Sequence, residues 1–114
     1  MASGVITIPF AEETFTVTLD TSVVELASWG NVQATKIGPI VFIRFYGIHA
    51  KADITATTRI ATISSPVRAN GVFPAWTIDR ALNGEFIVTN GGAQISANHM
   101  LKTTNCYVEC IFPV

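Results

Sequence analysis

Residues 31–48 read NVQATKIGPIVFIRFYGI, and their pattern decides the fold class. NVQATKIG leads through Gly38 and Pro39, a turn signal, into the run IVFIRFYGI. From Ile40 to Ile48 the run is apolar except for Arg44 and Gly47. Side chains on a strand alternate between faces, so a run this apolar predicts a central strand covered on both sides. An opposing sheet is expected on one side and a neighbouring subunit on the other. Arg44 is the exception, expected at an edge or rim with its head in solvent.

The rest of the chain has the same character. Ile, Val and Thr number 13, 11 and 14, against only 4 Leu. Side chains branched at Cβ are stiff at χ1 and pack well on a pleated surface, so this composition predicts an all-β chain. Residues 4–10 and 14–19 flank AEE as a hairpin, and in the second run Phe15, Val17 and Leu19 alternate with Thr14, Thr16 and Thr18. RIATISSPV reads as a strand ending at Pro66, and GVFPAWTIDR as another whose first half Pro74 demotes to an edge, bulge or extended loop. GEFIVTN and AQISA flank Gly91 and Gly92 as a hairpin, and residues 105–112 close the chain. With turn signals at short intervals and no linker or repeat, residues 1–114 are expected to form one antiparallel two-sheet sandwich, jelly-roll-like, of about eight to ten strands.

Composition also excludes classes of function. Charged residues are 13% of the chain, with a net charge of −1 and 7 Lys+Arg dispersed singly. Nucleic acid is normally met by a basic patch, so no nucleic-acid partner is expected. No run of eighteen apolar residues exists and MASGVITIPF has no leader pattern, so no membrane partner or export signal is expected. So few charges leave apolar surface for other copies of the chain to cover. Cys106 and Cys110, the two cysteines, share a strand face with Val108. Four residues of strand separate them by about 13 Å, beyond the roughly 7 Å a disulfide spans. They are read as small buried hydrophobes, and no second Cys/His pair at zinc spacing points to a metal or cofactor.

From Trp29 onward the order of features resembles the C-terminal head domains of bacteriophage receptor-binding proteins and tail fibres, especially those of phages infecting Gram-positive bacteria. The resemblance lies in a Trp before the first paired strand, KIGPIVFIRFYG at 36–47, RIATISSPVRANG at 59–71, LNGEFIV at 82–88 and a last strand carrying Tyr107. Ser65 before Pro66 and Ala69 after Arg68 depart from the family pattern, and residues 1–28 lie outside it. The resemblance implies a homotrimer of β-sandwiches at the tail tip of a virion, made in the host bacterial cytoplasm. It would bind host cell-wall saccharide or glycopolymer, and contact other tail or baseplate proteins through a region preceding Met1. Within that pattern Trp29 is a packing residue, expected to cap the core.

A saccharide site needs flat aromatic faces against C–H patches and polar forks for hydroxyls. WTIDR offers the densest set: Trp76, Asp79 and Arg80 converge if they lie near a loop, or else form a half-buried core Trp beside a surface ion pair. His49, with Lys51 and Asp53, follows the central strand where loops gather, as a ligand or as a solvated loop residue. Asn98 and His99, with Lys102, lie before the last strand and could meet the His49 loop of a neighbour. Catalysis finds no nucleophile elbow, no Cys beside a His, and only scattered carboxylates such as Asp53, Asp79 and Glu85, so no enzyme is expected. The competing reading is a non-binding structural module, either a trimerisation or capping domain of a virion fibre or a protein-interaction sandwich of the tumour-necrosis-factor and complement-head type.

Overall fold

Alternation along residues 40–50 organises the whole molecule. Val41, Ile43 and Phe45 are buried while Ile40, Phe42, Arg44 and Tyr46 are exposed, as a pleated strand with one covered face requires. This strand is part of a computed structural model that describes residues 12–64, 71–77, 79–89, 94–102 and 105–113, apart from the Phe112 side chain. All regular structure among the described residues is strand: β1 (Glu12–Phe15), β2 (Val17–Leu19), β3 (Val24–Ile37), β4 (Ile40–Ala50), β5 (Thr58–Ile63), β6 (Gly71–Thr77), β7 (Leu82–Thr89), β8 (Gln94–Asn98) and β9 (Cys106–Pro113). They form one antiparallel sheet of nine strands in the order β1-β3-β4-β9-β6-β7-β8-β5-β2.

The two ends of that order are consecutive in the chain. β1 pairs with β3 through Glu12–Phe15, and β2 pairs with β5 through Val17–Leu19. A single stretch therefore changes partner at Thr16, where the Thr16 N–H donates to Ser64 Oγ (3.0 Å) and the Ser64 N–H donates to the Thr16 carbonyl (2.9 Å). Strands that switch partners in this way turn the corner of a sandwich and leave it nearly closed. Phe45 on β4 and Phe86 on β7 lie three places apart in the sheet, yet meet edge to face with ring centroids 5.0 Å apart. The sheet is thus folded into two layers over one core, which Phe15, Val17 and Leu19 join from the bridging stretch.

Bulges adjust the alternation where the core needs it. A register shift between Arg59 and Ala61 turns both Ile60 and Ala61 inward on β5. Another falls between Pro74 and Trp76 on β6, whose first half pairs only with β7 and whose end alone reaches β9. Pro74 therefore sits where a missing N–H breaks no second ladder. Arg44 keeps its head in solvent, as expected, but not at an edge: β4 lies between β3 and β9, so the head projects from the outer face of an interior strand and pairs there with Glu109 at 3.2 Å. Residues 4–10, Pro66 and the turn at Gly91 and Gly92 lie outside the described residues.

Burial of β9 predicts thiol behaviour. Cys106, Val108 and Cys110 all face the core, and burial pushes the Cys110 thiol up to about 12. The Cys106 thiol is also raised by burial, partly offset by the Asn83 amide hydrogen bond. Since the thiolate is the reactive form, native protein at pH 8 should resist iodoacetamide and take up two labels once unfolded. Labelling of the native chain at either position would contradict this register.

Candidate functional site

The register gathers one end of every strand that carries a candidate residue. The start of β3 meets the end of β4, the end of β4 meets the start of β9, and the start of β9 meets the end of β6. The start of β7 then lies beside the end of β6, and the end of β8 beside the start of β7. His49, Asp53, Trp76, Asp79, Arg80, Asn98 and His99 therefore all belong to this one end of the sandwich, although they do not form a single cluster.

His49 is not a loop residue. It lies within β4, half-buried, with Nδ1 2.8 Å from Asn105 Oδ1 and Nε2 3.7 Å from Glu25 Oε2, so its ring ties β4 to the approach of β9. Asp53 accepts from the Lys102 N–H at 2.9 Å, and beside it the Ile54 N–H donates to the Met100 carbonyl at 2.8 Å. The segment with Asn98, His99 and Lys102 thus meets the His49 connection of its own chain, and buried Met100 and Ile54 plug the end of the core. Buried Asn83 fastens the same segment by accepting from the Leu101 N–H (3.0 Å) and donating to the Leu101 carbonyl (3.2 Å).

Arg80 and His99 carry positive φ, 63° and 57°, and are the two non-glycine residues that do so among the described residues. The left-handed region costs a residue with a Cβ roughly 1–2 kcal/mol, and such strain concentrates at functional sites. Arg80 closes the β6–β7 turn, where its N–H donates to the Thr77 carbonyl at 2.9 Å. Asp79 is exposed on the same turn, and no ion pair joins it to Arg80 among the described residues. Trp76 is not a core residue either: it is exposed on the outer face, opposite Tyr107 of β9 and Leu82 of β7.

An aromatic surface adjoins Trp76. Between Leu26 and Asn31 the register of β3 jumps, leaving residues 27–30 opposite the single Gly47 of β4. In this bulge Trp29 folds over Gly47 on the outer face instead of capping the core. A Cβ at Gly47 would lie 2.6 Å from the indole, and its φ of +75° also demands glycine. The Trp29 ring meets Tyr46 edge-on with centroids 5.4 Å apart and lies 6.4 Å from Tyr107, nearly parallel, while Tyr46 and Tyr107 are 4.8 Å apart. Trp29, Tyr46 and Trp76 remain 52%, 46% and 45% exposed, so the packed Trp29 and Tyr46 rings and the Trp76 ring on the adjoining strand are open to a ligand. Partial desolvation, then the neighbouring Tyr46, pushes the Tyr107 phenol above its ordinary value.

Sequence reasoning missed Trp29, Tyr46 and Tyr107, but the signal was present. Tyr46 shares a strand face with Arg44, and Tyr107 with Glu109, so each aromatic lies on the wet side of its strand. Among the described residues no group of three His, Cys, Asp or Glu is placed to hold a metal ion. Comparisons with protein-family models, curated proteins and solved structures give no match.

Gly47 offers a direct check on the aromatic surface. Gly47→Ala should destabilise the fold by about 1–3 kcal/mol in chemical denaturation and weaken the near-ultraviolet dichroism of the packed rings. Unchanged stability and an unchanged spectrum would show that Trp29 does not rest on Gly47.

Proposed function

We propose that the chain is a non-enzymatic receptor-binding head domain of the bacteriophage tail type, which binds host cell-surface saccharide as a homotrimer at the virion tail tip. The observation that carries this reading is the run of rings Trp29, Tyr46, Tyr107 and Trp76 on adjoining strands of the outer face. Large aromatics left half-exposed on rigid strands offer flat apolar faces to sugar C–H groups, with indole N–H and phenol groups beside them for hydroxyls. Trp29, Tyr46 and Tyr107 lose little conformational entropy on binding, because they already restrict one another.

The trimer draws its support from the other end of the same face. Ile37, Ile40, Phe42 and Ile111 are exposed there, with Ile37 opposite Ile40 and Phe42 opposite Ile111. A contiguous apolar strip on a sparsely charged chain is the kind of surface that copies of a chain bury against one another. Three weak sugar sites so linked would gain binding strength through effective concentration. The same strip favours, as a second reading, a purely structural trimerisation or capping module with no saccharide site.

Light scattering combined with binding to purified host cell-wall glycopolymer separates these readings. The expected results are a mass of about three times 12.2 kDa, binding by the wild type, and loss of binding without change of mass in Trp76→Ala. Full binding by folded Trp76→Ala would remove that residue from the site. A trimer that binds no glycan at millimolar sugar would favour the structural module, and a stable monomer would remove the trimer.

A further inference from the structure

Between Trp76 and the Asn98–His99 corner lies a pocket of about 250 Å³ lined by Pro74, Leu82, Gly84, Glu85 and His99. Its size falls just below the roughly 300–1,000 Å³ typical of sites for drug-sized ligands, which suits a single ring. Pro74 and Leu82 supply apolar walls, and Leu82, 63% exposed, faces outward because its neighbour Asn83 points inward. Glu85 is half-buried beside them, and no ion pair reaches its carboxylate among the described residues. A carboxylate flanked by apolar surface is less well screened than one in open water, so it attracts a cation more strongly.

His99 completes the lining, and its place is specified by the backbone. Asn98 Oδ1 accepts from the His99 N–H at 2.9 Å, supporting the left-handed conformation. Beneath it Gly84 has φ +85°, and a Cβ there would lie 2.5 Å from the Asn98 carbonyl oxygen and 2.9 Å from that of His99. Glycine thus lets β7 pass directly against the strained corner, and the imidazole is held at the pocket at a conformational cost.

We propose that this pocket binds the amine-bearing ring of an unacetylated amino sugar. The ammonium pairs with Glu85, the C–H face of the ring covers Pro74 and Leu82, and the His99 imidazole takes a ring hydroxyl. Anionic sugars are disfavoured by the Glu85 charge. The inference deepens the saccharide reading above and rests on it. Because Leu82 lies opposite Trp76, which in turn lies opposite Tyr107, the next ring of a polymer would reach the aromatic surface.

The test is titration with glucosamine, glucose and cyclohexylamine, followed through backbone amide signals of Gly84, Glu85 and His99. Glucosamine should bind about fivefold more tightly than glucose at low salt, as expected for one partly screened ion pair, and the preference should fade at high salt. Glu85→Gln should make the two sugars equal. His99→Gly, which suits the left-handed backbone, should keep or raise the melting temperature while weakening glucosamine binding. Equal affinities in the wild type, or a preference that survives Glu85→Gln, would overturn the amine pocket and leave sugar binding at Trp76 intact. Uptake of cyclohexylamine with neither sugar bound would overturn this assignment, whereas wild-type protein that binds no host glycopolymer would overturn the saccharide reading beneath it.

Discussion

The partner change at Thr16 is the constraint on which the rest of the structure depends. By pairing residues 12–15 with β3 and residues 17–19 with β5, one short stretch joins the two ends of the strand order. The core is thereby enclosed, and inward and outward become distinct for every strand. The alternation of Phe15, Val17 and Leu19 with threonines continues through the switch, so the corner adds apolar side chains to the core as it turns. Open sheet edges, which would invite pairing with other chains, are reduced by the same device.

Once inward is defined, β4 and β9 divide their work between two faces. Val41, Ile43 and Phe45, with Cys106, Val108 and Cys110, build the interior. Their alternate residues build an outer surface in three zones: aliphatic at Ile40, Phe42 and Ile111, charged at Arg44 and Glu109, and aromatic at Tyr46 and Tyr107. The ion pair in the middle is exposed on both sides, and such pairs contribute only about 0–1 kcal/mol. Its effect is to separate the aliphatic strip from the rings. The subunit contact and the sugar surface proposed above can therefore occupy one sheet face without overlapping.

Much of this was legible in the sequence where local periodicity carries the information. The β3–β4 turn at Gly38 and Pro39, the shared face of Cys106, Val108 and Cys110, and the interrupted ladder at Pro74 all follow from residue spacing and backbone chemistry. What escaped depends on distant partners. Trp29 looks like a core residue until four residues of β3 are found opposite Gly47, and His49 looks like a loop residue until Asn105 and Glu25 are found on its two nitrogens. Gly47 only interrupts an apolar run in sequence and Gly84 carries no signal there, but in the structure each permits a close approach, by an indole in one case and by a neighbouring backbone in the other. No periodicity reports contacts of that kind.

The central claim is that the outer face at the Trp76 end does the binding while the inner face only holds the fold. It is tested most directly by following the indole Nε1–H signals of Trp29 and Trp76, together with core amides such as those of Phe45 and Val108, as host cell-wall oligosaccharide is added. Both indole signals should move in a saturable way while the core amides stay fixed. Indole signals that do not move while the saccharide binds elsewhere, or no saturable change at all, would contradict the claim.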